Sequence, residues 1–122
     1  MSAPDDLVAN YSKVAYTDYF PVDKMATTTP YTGSFTVTAY DGGTFTPGTG
    51  SATVTHNLNK KCFPELLWST DGVNYVPAPQ EDTNRVAALA ACGLNDCYIY
   101  GYQAAGTSSK TVYYILYLLW PN

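Results

Sequence analysis

The feature that most limits how this chain can fold is a series of short alternating segments, each cut off by glycine, proline or asparagine. Ser34-Phe-Thr-Val-Thr-Ala-Tyr40 sets the pattern, with Phe35, Val37 and Ala39 out of phase with Thr36, Thr38 and Tyr40. A period of two belongs to a strand with one packed and one wet face. Ser51 to His56 repeats it, with Ala52, Val54 and His56 on one side. Cys97 to Tyr102 sets Cys97, Ile99 and Gly101 opposite Tyr98, Tyr100 and Tyr102. Phe63 to Trp68 starts another strand, and Pro64 suits its first positions.

The punctuation fits antiparallel pairing. Asp41-Gly-Gly-Thr44 and Pro47-Gly-Thr-Gly50 mark turns, Asn57 to Lys61 a short loop, and Gly93-Leu-Asn-Asp96 another turn. Asp71-Gly72, between Trp68 and Val73-Asn-Tyr-Val76, is a hairpin signal because such a turn tolerates positive φ. Arg85 to Cys92 is alanine-rich and would be helix on propensity alone. Strand is preferred, since two hairpin-like runs follow at once. Asp23 to Thr32 reads as extended loop or edge strand, and Asn10 to Phe20 as an entry segment with strand character. The expectation is an all-β chain, an antiparallel β-sandwich of roughly 7–9 short strands, jelly-roll or Ig-like. It spans residues 1–122 as one domain, with 1–13 as an N-terminal arm.

Composition narrows function. Charged residues are only 13% of the chain and the net charge is −4, with six Lys+Arg. That cannot build the phosphate-neutralising surface nucleic acid requires, so no nucleic-acid partner is expected. The segment Met1-Ser-Ala-Pro-Asp-Asp lacks the basic and apolar regions of a secretory signal. No apolar run reaches transmembrane length, so no membrane insertion is expected, and a complete chain would be made in a cytoplasm. The three cysteines, Cys62, Cys92 and Cys97, are an odd number and argue against a disulfide scaffold. Cys92 and Cys97 could bridge across a hairpin, but a reduced, buried pair is expected in a cytoplasmic product.

The closing strand, Thr111 to Trp120, breaks the alternation. Val112, Tyr114, Leu116, Leu118 and Trp120 fall on one face; Tyr113, Ile115, Tyr117 and Leu119 fall on the other. An antiparallel strand with one wet face should alternate apolar and polar, yet both faces are apolar or aromatic. Either the rest of the chain covers the second face or another subunit does. The subunit is the expected cover, which makes residues 112–120 a candidate oligomer interface.

Several motifs carry a resemblance. They are Thr17-Asp-Tyr-Phe-Pro-Val-Asp-Lys-Met25, Gly33-Ser-Phe-Thr-Val37, Ala52-Thr-Val-Thr-His-Asn-Leu58, Pro64, and Trp68-Ser-Thr-Asp-Gly72. Together, over roughly residues 14 to 76, they resemble a loose group of small β-rich proteins of tailed phages and prophages, encoded near tail or fibre genes. That group shows a "DYP-x-DK" segment, a strand, "T-x-x-H-x-L-G-x-x-P", and a "W-S-x-D-G"-like turn. Phe20 departs from the pattern as an insertion between Tyr19 and Pro21. Asn59 stands where the glycine usually follows the leucine, a mild change because Asn also tolerates left-handed backbone. The resemblance implies a virion role, with copies of itself and other virion proteins as partners, and no catalytic residues. It places His56 at a strand end, where its ring can bond the following turn.

Candidate chemistry is sparse. His56 is the only histidine, and Thr53, Thr55 and Ser69 near it are each explained by strand or turn pattern. His56 with Cys62, Cys92 and Cys97 could supply four zinc ligands, but paired Cys-x-x-Cys spacing is absent. The carboxylates fall mostly in turns, where Asp is ordinary. No enzyme activity, cofactor or metal is therefore expected. Tyr98, Tyr100 and Tyr102, with Tyr113 and Tyr117 on a neighbouring strand, would form an aromatic panel. Packing or an oligomer interface is favoured over sugar stacking there. The reading is a tail- or fibre-associated virion subunit acting by homo-oligomeric self-assembly. The alternative is a carbohydrate- or host-receptor-binding module that stacks Trp68, Tyr98, Tyr100 and Tyr102 on a host surface glycan.

Overall fold

The computed structural model describes residues 25–27 and 29–121. Eight strands follow one another: β1 (Met25–Thr27), β2 (Tyr31–Val37), β3 (Gly48–Thr55), β4 (Phe63–Ser69), β5 (Val76–Pro77), β6 (Val86–Cys92), β7 (Asp96–Gln103) and β8 (Lys110–Pro121). The entry segment Asn10 to Phe20 and the arm 1–13 lie outside the described residues. Among the described residues there is no helix, so none is long and apolar enough to cross a membrane. The alanine-rich run is strand β6, because its neighbour β7 supplies a ladder that outweighs the propensity of alanine.

All pairings are antiparallel and form two sheets. β1 and β2 occupy successive stretches along one edge of β8, β4 pairs its other edge, and β5 follows β4. That sheet is four strands wide. The second sheet runs β3, β7, β6. β2 pairs β8 in one sheet while β3 pairs β7 in the other. The early and late strands therefore form a ribbon that passes from sheet to sheet, the wrapping found in jelly rolls rather than in Ig-like domains.

The alternation of the sequence is now physical. Phe35 and Val37 from β2, Leu66 and Trp68 from β4, and Val112, Leu116 and Leu118 from β8 meet Val54, Val86, Ala88, Cys97 and Ile99 of the facing sheet. Residues paired across a ladder share a face, so Thr32, Ser34 and Thr36 turn outward beside Ile115, Tyr113 and Thr111. Gln103 is fully buried at the end of β7, and its amide Nε2 donates to the carbonyls of Thr38 and Ser108 at 2.8 Å each. That side chain ties the β2–β3 and β7–β8 connections together.

Two turn readings need correction. Pro47-Gly-Thr-Gly50 is not a turn: Gly48 to Gly50 open β3, because the β3 backbone passes so close to β2 that side chains would not fit. The Asp71-Gly72 hairpin exists, but as a wide loop between the pairs Leu67–Pro77 and Trp68–Val76, so Val73 to Tyr75 are not strand. Gly72 alone takes positive φ there, at 76°. Asp71 instead gathers the loop. Its Oδ1 accepts from the Ser69 hydroxyl at 2.7 Å and from the backbone N–H groups of Val73 and Asn74 at 2.8 Å.

These donors, led by the Asn74 N–H, hold the Asp71 carboxyl well below the usual carboxylate range. A carboxylate depressed in the folded state adds stability above its ordinary range, and that contribution is lost as pH falls through and below it. Acid unfolding followed by circular dichroism should therefore be steeper below about pH 4 in the parent than in Asp71→Asn. Equal slopes would mean that the loop's hydrogen bonds do not couple to folding.

Candidate functional site

The two outer faces of the sandwich carry the candidate residues, and they differ in chemistry. β8 lies at the centre of the four-stranded sheet, so its inward and outward sets separate cleanly. Val112, Tyr114, Leu116 and Leu118 are buried in the chain's own core, and Trp120 packs at its margin. Lys60 places its ammonium 5.1 Å from the Trp120 ring centroid. The first four are thus not available as an interface between copies, because the facing sheet already covers them, while Trp120 stays partly open. Tyr113, Ile115, Tyr117 and Leu119 point the other way and keep part of their surface, with Tyr113 38% exposed. Leu67, paired with Ile115 from β4, extends this patch. The sequence signal for Leu67 was its phase opposite Leu66 and Trp68.

The second face belongs to β7, the central strand of the three-stranded sheet. Tyr98 and Tyr100 are 43% and 47% exposed, with ring centroids 6.4 Å apart and planes within 30° of each other. Thr53 and Ser51 of β3 flank them on one side, Ala91 and Leu89 of β6 on the other. Tyr102 continues the row, and its hydroxyl donates to Glu81 Oε2 at 2.6 Å. That bond to a carboxylate holds the phenol above its ordinary pKa. Glu81 also lies 3.8 Å from Arg85. Tyr113 and Tyr117 do not join this panel. The β7–β8 connection crosses between sheets instead of closing a hairpin, so they sit on the opposite side of the molecule.

Trp68 leaves the stacking set altogether. It is 1% exposed, its ring lies in the core, and its indole N–H donates to the Gln80 carbonyl at 3.1 Å. The phase of β4 is fixed by its pairing with β8, which turns Leu66 and Trp68 inward together.

The other candidates resolve as structure. His56 directly follows β3 in a buried position, where its Nδ1 accepts from the Leu58 N–H at 3.1 Å. Its Nε2 faces the Gly93 carbonyl at 3.2 Å, so that nitrogen carries the proton. The ring does bond the following turn, and both nitrogens are occupied. Asn59 takes the left-handed backbone anticipated for it, with φ 51°. Cys92 and Cys97 face each other as the last pair of the β6–β7 hairpin and are joined by a disulfide. This overturns the expected reduced pair, because the ladder's register brings the two thiols together across the turn. The bond also consumes two of the four candidate zinc ligands, leaving His56 and the buried Cys62. No cluster of three or more His, Cys, Asp or Glu able to hold a metal occurs among the described residues.

A groove of about 470 Å³ runs between the free edges of the two sheets, lined by Pro64, Leu67, Pro77, Pro79, Leu89 and Ala90 among others. Proline cannot donate to a ladder, so Pro64, Pro77 and Pro79 make this seam a poor template for a further strand. Among the described residues Glu65 is the one ionisable group on its wall. Compared with protein-family models, curated proteins and solved structures, the chain matches none.

Proposed function

We propose that this chain is a structural subunit of a phage-type particle, tail- or fibre-associated, that works by packing against copies of itself and has no catalytic role. The observation that carries the reading is the outward half of β8. Tyr113, Ile115, Tyr117 and Leu119, with Leu67 beside them, lie along the middle of the wider sheet and remain partly open to solvent. A central strand usually turns polar residues to water on its outer side. Here the row is flanked by Leu67 of β4 on one side and by Thr32, Ser34 and Thr36 of β2 on the other, an apolar strip with a polar margin, which is the make-up of an association patch. Glu65 is the only ionisable side chain of β4 on that face, so two copies meeting there would bring few like charges together.

Two further features support the assignment. The motifs over residues 14 to 76 resemble small β-rich proteins encoded near phage tail genes. The Cys92–Cys97 disulfide would persist outside a reducing cytoplasm, where a released particle spends its time. The test is a charge placed in the patch. Ile115→Glu should shift the native mass, read by light scattering, from a multimer to a single chain, with the circular dichroism spectrum unchanged. A multimer that survives this substitution would place the contact elsewhere and remove the central support for the reading.

A further inference from the structure

We infer that the tyrosine panel on β7, on the side of the molecule away from the proposed self-association patch, is a binding surface for neutral oligosaccharides. Three observations point to this ligand class. Tyr98 and Tyr100 hold neighbouring rings with centroids 6.4 Å apart and planes 30° apart, each more than two-fifths exposed, so two adjoining aromatic surfaces are open to a ligand. Sugars present C–H faces that pack on aromatic rings and hydroxyls that need partners at the rim. The exposed hydroxyls of Ser51 and Thr53 stand directly beside the two rings and can supply those partners. On the other flank Ala91 is small opposite Tyr98, while the exposed Leu89 opposite Tyr100 adds apolar surface beside the rings.

Size and charge narrow the choice of occupant. The panel from Tyr98 to Tyr102 with both neighbouring strands covers about 17 by 14 Å, near 240 Å² in projection. That is the footprint of roughly two or three sugar rings, and contact between copies at this face is tested below as the alternative outcome. The net charge of −4 and Asp96 on the same strand face disfavour sulfated, sialylated or uronic-acid glycans, while Glu81 is paired with Arg85. Tyr102, tied to Glu81, forms a fixed end of the row and has its hydroxyl already engaged. The surface therefore selects uncharged sugars at Tyr98 and Tyr100.

The experiment uses the full chain on an array of neutral and acidic oligosaccharides, followed by calorimetric titration of the best neutral binder as a free, monovalent sugar. A monovalent probe makes the result independent of oligomeric state. The expected outcome is binding to neutral members only, weakened about tenfold or more in Tyr98→Ala/Tyr100→Ala and kept within about threefold in Tyr98→Phe/Tyr100→Phe. Ser51→Arg, which overhangs the panel without altering either ring, should weaken it comparably and covers the case in which the alanine pair does not fold. Absence of any neutral binder, preference for acidic glycans, or full binding by the alanine pair or by Ser51→Arg would each overturn the inference. So would loss of the multimer on the alanine substitutions, which would assign the panel to contact between copies.

Discussion

Replacing Trp68 by alanine should lower stability by about 3–5 kcal/mol and the melting temperature by roughly 10–20 °C for a domain of this size. The side chain is the largest of the fully buried ones. It sits on β4, beside Leu66 and against β8, where the two sheets meet. Its removal opens a cavity that flanking strands cannot close, because each is held in register by its own ladder. It also strands the Gln80 carbonyl, which accepts the indole N–H at 3.1 Å. Trp68→Phe separates the two effects: it keeps most of the ring and loses only the hydrogen bond, for a cost of about 1–2 kcal/mol beyond the lost volume. Thermal unfolding of both variants checks the assignment. A Trp68→Ala protein that melts like the parent would mean that the ring is not packed inside, and the stacking role on the surface would return.

Gly48→Ala is the second substitution with a large expected effect, and for the opposite reason. A Cβ at Gly48 would overlap the backbone carbonyl oxygen of Thr38. No rotamer change relieves a clash with backbone, so β2 and β3 must separate where the chain crosses between sheets. The bonds lost there are the Thr38 N–H to the Thr49 carbonyl at 3.1 Å and the Thr49 N–H to Thr38 Oγ1 at 3.0 Å. The expected cost is about 3 kcal/mol or more, with hydrogen exchange rising first at Thr38 and Thr49. Gly43, which sits in the exposed loop against the Asp41 carboxylate, is the contrasting position. Gly43→Ala should cost far less. Equal effects at the two glycines would contradict the close approach of β2 and β3.

These two positions also show how far the sequence could be read. Phe35, Val37, Val54, Cys97 and Ile99 sit where period-two alternation puts them, because each strand has one face against the facing sheet. The strand at 86–92 was legible from its context, the turn at Gly93 to Asp96, and not from its alanines. Gly48 and Gly50 were misread as turn residues because glycine signals two things with one letter, a reversal or a close backbone approach. Only the three-dimensional distance to Thr38 tells them apart.

The site was partly legible. The inward and outward sets of β8 could be listed from the sequence, but which set the core would take depended on pairing with β2 and β4. Trp68 illustrates the same limit: an aromatic side chain at a strand end is core or surface according to the phase of its partner strand. The two tyrosine groups looked like one panel because β7 and β8 are adjacent in sequence. Loop 104–109 carries the chain from one sheet to the other, and adjacency in sequence then says nothing about adjacency on a face.

The proposed self-assembly rests on the outward side of β8, where Ile115 and Tyr117 put apolar and aromatic side chains in the middle of a sheet face whose margin is polar. The most direct measurement is the molar mass of the unmodified protein by light scattering, followed down a dilution series. A whole-number multiple of the chain mass that holds to low micromolar concentration is the predicted result. A uniform single-chain mass at every concentration would contradict it, and the partly exposed row of Tyr113, Ile115, Tyr117 and Leu119 would then need a cover other than a second copy.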